Sequence, residues 1–266
     1  MSSVDDVAAF WDSRPCNVRH SNLLIGSAEY FAAVRQKRYF AEPHISEFAD
    51  FPAWTRKSVL EIGCGIGTDA VEFARHGAML TAVDLSPKSL EICRRRFQVL
   101  GLPGEFYEAN IERLSNSVPA KKYDLIYSFG VLHHTPSPVA AIAEIKKCCG
   151  PQSELRIMVY AKWSTKAIAI AFWHGWRDAH RHSEAQSGCP ITWMYSISGV
   201  RKLLADFEIV SIRKCHIFPY RIDEYVRHEY VKRWYWRICP GPLFHLIERV
   251  LGWHILVVAT LKETAK

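Results

Sequence analysis

Apolar residues recur along this chain with two different periods, and the change from one to the other divides it. Up to residue 57 the spacing is helical. Val4, Val7, Ala8 and Trp11 suit one short helix, and Tyr30, Phe31, Val34, Arg38 and Phe48 suit one or two more, broken at Glu42-Pro43 and Phe51-Pro52. From Ser58 short apolar runs alternate with helical stretches. The runs are Ser58 to Ile62, Met79 to Asp84, Gly104 to Glu108, Tyr123 to Ser128 and Glu154 to Tyr160. Helices are expected from Thr68 to His76, from Ser86-Pro87 to Leu100, and from about Ser137 to Cys149. Ser86 before Pro87 is a favoured helix start, and Gly77 and Gly101 are stop signals. Strands alternating with helices of this length predict an α/β fold, a doubly wound and mostly parallel sheet.

The alternation fails twice. Trp163 to Tyr195 is rich in His, Trp and small polar residues and reads as an insertion after the fifth strand, about 163–196. Ser198 to Phe207 then suits a helix, and Glu208 to Cys215 a sixth strand. A second insertion spans about 216–251, where Ile222, Val226, Tyr230, Trp234 and Ile238 recur every four residues and predict one amphipathic helix over 222–238. His254 to Leu261 completes a seven-stranded sheet. The division expected is a helical N-terminal extension, 1–57, laid against a main domain, 58–266.

Composition narrows the function classes. Of 266 residues, 49% are hydrophobic, so a sizeable core is available. The net charge is +7, spread along the chain with one denser stretch from Arg221 to Arg237. A solvated basic surface accounts for that, and an acidic small substrate suits it equally; no nucleic-acid-binding signature is present. The eight cysteines form no CxxC pair, and no Cys/His group has zinc-finger spacing. His174, His180 and His182 are not paired at i, i+4, so no metal site is expected. No run approaches a membrane span, and the N-terminus lacks the basic and apolar regions of a signal peptide; a cytoplasmic protein is expected.

The strongest local signal is Val59-Leu60-Glu61-Ile62-Gly63-Cys64-Gly65-Ile66-Gly67-Thr68-Asp69, a glycine turn between a buried strand and a helix. Such a turn lets a ligand approach the backbone, and it also satisfies the GxGxxA dinucleotide pattern. Glu61 tips the reading, because a carboxylate there repels a pyrophosphate and suits a cation. Asp84 ends the second strand, 17 residues after Gly67, where a carboxylate accepts hydrogen bonds from both ribose hydroxyls.

With Asp84, the Glu108-Ala109-Asn110-Ile111 turn and the run Tyr123-Asp124-Leu125-Ile126-Tyr127-Ser128-Phe129-Gly130-Val131-Leu132-His133-His134, the chain resembles the class I S-adenosylmethionine (SAM)-dependent methyltransferases of the small-molecule branch. The resemblance covers residues 55 to 160 and extends to Gly252-Trp253-His254. It implies that Glu61, Gly63, Gly65 and Gly67 face the methionine part, that Asp84 with Leu85 holds the ribose, that Asn110 and Ile111 lie beside adenine, and that Ser128, Phe129 and Gly130 close the cofactor site. The family most often has Asp where Asn110 stands; the Asn carbonyl accepts from the same purine amino group.

Methyl transfer from a sulfonium is a direct displacement, whose demands are alignment and exclusion of water. His133 is the first candidate base at the acceptor, with His134 as its neighbour on the substrate side. Tyr30 and Tyr39 are candidates to cover the sulfonium, and Arg38 to hold the methionine carboxylate. Tyr195 and Ser196 are candidates to bond the acceptor or the SAM amine; the alternative is a surface loop ending in a helix cap. The leading expectation is N-, O- or S-methylation of a small metabolite with release of S-adenosylhomocysteine. The alternatives are a cyclase that uses SAM as sole substrate and releases methylthioadenosine, and a non-catalytic SAM- or RNA-binding module. The second insertion offers a lid, a homodimer contact or a membrane-facing helix, and the simplest reading of it is packing.

Overall fold

A computed structural model describes residues 3–175, 188–227 and 229–262. Among them a seven-stranded sheet forms the centre, in the order β3-β2-β1-β4-β5-β7-β6. The strands are β1 (Ser58–Ile62), β2 (Met79–Asp84), β3 (Glu105–Glu108), β4 (Tyr123–Phe129), β5 (Cys149–Tyr160), β6 (Phe207–Cys215) and β7 (His254–Leu261). β1 to β5 pair in parallel, whereas β7 runs antiparallel to both neighbours, β5 and β6. The central strands are buried on both faces, which is why they read as continuous apolar runs. The order reverses between β1 and β4, and a crevice opens there at the carboxyl ends of the strands.

The helices are α1 (Val4–Ser13), α2 (Ala28–Ala41), α3 (His44–Ala49), α4 (Thr68–Arg75), α5 (Pro87–Leu100), α6 (Pro138–Cys148), α7 (Thr165–His174), α8 (Ile197–Leu203), α9 (Ile222–Val226), α10 (Trp234–Ile238) and α11 (Gly241–Leu251). Local chemistry sets their ends. Ser3 and Asp6 form a reciprocal capping box at α1. Ser86 caps α5 ahead of Pro87, and Gly101 ends it in the left-handed region. The N-terminal helices share a core with the main domain: Ile45, Phe48, Phe51 and Trp54 are buried with Val59 of β1 and Phe73 of α4. Arg96 of α5, 1% exposed, binds this layer to the crevice by donating to the Phe31 carbonyl at 3.1 Å, the Ile66 carbonyl at 3.3 Å and the Thr68 hydroxyl at 2.7 Å.

Two expectations need correction. The four-residue apolar spacing over 222–238 does not make one helix. The chain turns back on itself between α9 and α10, with Arg221 N–H donating to Val231 O and Arg233 N–H to Pro219 O, both at 2.9 Å. Phe40 of α2 explains the break, since its ring lies 4.2 Å from Tyr230 and 5.5 Å from Tyr220. Aromatic packing overrides local periodicity here. The helix expected over 198–207 is α8, which ends at Leu203.

Candidate functional site

A cleft at the crevice encloses roughly 1090 Å³, its open mouth included. Its floor is the turn from β1 into α4. Gly63, Gly65 and Gly67 all have positive φ, at +73°, +53° and +75°. At Gly63 a side chain is excluded twice over, because a Cβ there would sit 2.1 Å from Val131 Cγ2. Gly65 faces open space within the cleft, and its N–H donates to Asp84 Oδ2 at 2.7 Å. Gly67 does not line the cleft. Its bare Cα lets α4 begin against Cys93 of α5, which a Cβ would meet at 2.5 Å.

Two carboxylates mark the cleft. Asp84 accepts from Gly65 N–H and, through Oδ1, from Ser86 N–H at 2.9 Å, so the backbone fixes its plane. Burial raises its pKa, and those N–H groups work against the rise. Glu61 is 4% exposed, and its Oε2 has no hydrogen-bond partner among the described residues. Burial, then the Asp69 charge, push its pKa well above the usual carboxylate range. A buried carboxylate without a partner is costly unless a cationic ligand sits on it.

Asp69, in the first turn of α4, is the hub of the far wall. It accepts from Arg38 Nε and Nη2, from the Tyr39 hydroxyl and from the Tyr127 hydroxyl, each at 3.1 Å. Arg38 lines the cleft and also donates to Glu42 Oε2 at 3.1 Å. With three of its five N–H donors spent on these carboxylates, two are left over for a ligand carboxylate. Asn110 lines the opposite side with Leu85 and Ile111. Its Oδ1 accepts from Glu112 N–H at 2.9 Å, which leaves that oxygen one lone pair for a purine amino group. Phe129, Gly130 and His134 close the third side.

Several expected site residues lie elsewhere. Tyr30 is fully buried, and its hydroxyl donates to Val18 O at 2.8 Å. Tyr39 stands behind the cleft on Asp69. Neither ring lines the cleft; the aromatic side chains that do are Phe129 and, from α1, Trp11. Ser128 is fully buried within the sheet, away from the cleft. His133 also lies outside the lining. It is fully buried, 3.8 Å from the Tyr160 ring, and neither ring nitrogen has a partner among the described residues. Burial and the neighbouring His134 hold its pKa well below 6.5. The histidine on the cleft is His134, whose Nδ1 lies 2.8 Å from Ile191 O and whose ring is 5.1 Å from Trp11. Tyr195 extends the end of β5 through a bridge to Ala161, and Ser196 caps α8 by accepting from Gly199 N–H at 3.0 Å. His180 and His182 fall outside the described residues.

Sequence reasoning missed Trp11, Asp69 and Thr135 as cleft residues. The spacing of Val4, Val7 and Trp11 showed an apolar face but not that this face roofs a cleft. Beside the cleft, Glu42, His44 and His254 bring donor atoms within 4.8 Å of one another. His254 turns Nε2 to Glu42, at 3.7 Å, and Nδ1 to His44, at 3.0 Å. Of these contacts, the one between the two imidazoles is a hydrogen bond.

A family model for a methyltransferase domain matches residues 33–205. The chain belongs to this methyltransferase family. Its likeness to two ubiquinone biosynthesis O-methyltransferases is local. That of Actinobacillus pleuropneumoniae serotype 5b (strain L20) is 31% identical over 37% of this chain and 44% of its own length. That of Methylocella silvestris is 36% identical over 35% of this chain and 34% of its own. The chain thus spans less than half the length of these two relatives. A magnesium protoporphyrin IX methyltransferase from Synechocystis PCC 6803, solved with bound SAM, is 13% identical and superposes over 98% of both chains with a TM-score of 0.58, a likeness of fold. The methyl donor of the family is SAM. The residues present fit it: the unpartnered Glu61 oxygen lies on the cleft where a cationic ligand would relieve it, and Asp84 presents a fixed carboxylate to a diol.

Proposed function

We propose that this methyltransferase transfers a methyl group from SAM to a hydroxyl oxygen of a small-molecule acceptor. The observation that carries the reading is the pair of buried carboxylates on one cleft, Glu61 without a partner and Asp84 locked by backbone N–H groups. Glu61 takes the ammonium and sulfonium end, Asp84 the ribose hydroxyls, Arg38 the carboxylate, and Asn110 with Ile111 the adenine. Oxygen as the accepting atom is supported by the names of the curated relatives, both O-methyltransferases. The same names support transfer over cyclisation.

SAM bound there supplies an electrophilic methyl group, and its thioether leaves neutral, so no acid is required. What the chain adds is alignment, dryness and a proton acceptor. α1 roofs the cleft with Val4, Val7 and Trp11, which keeps water from the sulfonium side. His134, which lines the cleft with Nδ1 2.8 Å from the Ile191 carbonyl, is the imidazole assigned to take the proton of an acceptor hydroxyl. Mass spectrometry of a reaction with SAM and a panel of phenolic acceptors tests the reading. S-adenosylhomocysteine formed together with an O-methylated acceptor is the expected result. Methylthioadenosine from SAM alone, or methylation confined to nitrogen or sulfur, contradicts it.

A further inference from the structure

We propose that the face built by α10 and α11 docks on an anionic lipid bilayer surface. The face is apolar far beyond the scattered exposure of an ordinary surface. Trp234 and Ile238 of α10 are 71% and 72% exposed, and Leu246 and Val250 of α11 are 59% and 57% exposed. These side chains are not the frayed end of a loose segment. α11 is fixed from behind: Trp236 packs edge-on to Phe244 at 5.2 Å, Glu248 Oε1 accepts from His216 N–H at 3.1 Å, and Lys214 Nζ donates to the Val250 carbonyl at 2.9 Å. The helix therefore satisfies one face on the edge of the sheet and presents a second apolar row outward.

Charge identifies the occupant. Lys232, Arg233, Arg237 and Arg249 are exposed among the apolar side chains, and none forms an ion pair with a described residue. Residues 213–251 hold eight Lys and Arg against four Asp and Glu. Tryptophan and tyrosine beside aliphatic side chains, ringed by arginine, is the composition of a helix lying in the headgroup region of an anionic membrane. A second copy of the chain would set Arg237 and Arg249 against like charge, and a nucleic acid would leave Ile238 and Leu246 without a partner. The geometry also orients the molecule. β6 runs parallel to β5, since both are antiparallel to β7, so the segment carrying α10 and α11 leaves β6 at the carboxyl end of the sheet, the end at which the cleft opens. Docked by this face, the cleft lies beside the bilayer.

Co-sedimentation with vesicles tests the proposal. Vesicles of phosphatidylcholine with about one-third phosphatidylglycerol should carry down the full chain, and phosphatidylcholine alone far less, with binding falling as salt rises. The double variant Trp234→Ser, Leu246→Ser should keep its circular dichroism, melting temperature and SAM affinity yet bind the mixed vesicles at least about tenfold more weakly. Arg237→Glu with Arg249→Glu should abolish the preference for phosphatidylglycerol. Failure of the native chain to sediment with the mixed vesicles overturns the proposal, as does unchanged binding by the variants. So does a solution dimer that the serine substitutions dissolve.

Discussion

Glu61 and Asp84 do opposite things with the same functional group. Asp84 has its plane fixed by Gly65 and Ser86, whereas Glu61 keeps one oxygen bare in a dry place. Glu61→Gln should therefore separate stability from binding. It removes a carboxyl that must either take up a proton or stay charged without a partner, a cost of about 1–3 kcal/mol, so the melting temperature of the ligand-free protein at neutral pH should rise by a few degrees. The stabilisation that SAM gives the native chain should largely vanish in the same variant. The sign follows from the raised pKa: the folded carboxyl holds its proton longer than the unfolded one, so Glu61 destabilises the empty protein more as pH rises past 4.5. A melting point that drops in Glu61→Gln would show that the carboxylate already has its partner within the protein. The two histidines divide in a similar way. His134→Gln should cut kcat by about 10²–10⁴-fold and leave SAM affinity within about twofold. His133→Phe keeps a ring against Tyr160 and should leave turnover nearly unchanged. The reverse ranking, read from steady-state kinetics, would return the base to His133. Sequence named the pair and put His133 first, whereas His134 is the one that lines the cleft. Neighbouring residues on a turn point in different directions, and the direction here is set by Ile191 and Tyr160, far away in the chain.

At the scale of elements, the strands and their caps were legible because each rests on local rules. β1, β2 and β7 fall where the apolar runs place them, and α5 begins and ends at Ser86-Pro87 and Gly101. The segment over 216–251 was not legible, since Phe40 decides its path from another element. The role of α1 was hidden for a related reason: amphipathic spacing gives a face but not its partner. The structure supplies that partner and the latch. Asp12 of α1 accepts from the Ser86 hydroxyl and from Lys88 N–H, both at 2.9 Å, at the N-terminus of α5. These backbone and hydroxyl donors, with the Lys88 charge, lower the Asp12 pKa. Asp12→Ala should free α1 and weaken SAM binding about fivefold to twentyfold, with a change of less than about 1 kcal/mol in global stability. Faster SAM dissociation in stopped flow would show the latch directly, and an unchanged off-rate would remove α1 from the account.

The whole molecule carries a group of buried neutral histidines around the carboxyl ends of its central strands. Burial lowers His44 to about 2 and His216 to about 4, and holds His254 and His133 well below 6.5. The unfolded chain takes up these protons first. The stability they contribute is present above pH 6.5 and is lost as pH falls, through about 4 for His216 and about 2 for His44. Glu61 and Asp84 act with the opposite sign, but four histidines outweigh two carboxyls. Urea midpoints should fall steeply between about pH 7 and pH 5, and His216→Asn should flatten the slope by up to about 1.4 kcal/mol per pH unit. A flat profile would mean that these rings are already protonated or open to water.

The proposed site depends on Glu61 and Asp84 as the carboxylate pair for an adenosyl sulfonium. Isothermal titration of the native chain and Asp84→Ala with SAM tests this most directly. The native chain should bind one SAM, and Asp84→Ala should lose about 2–4 kcal/mol of that binding with its fold intact. Equal affinity in the two proteins would contradict the site.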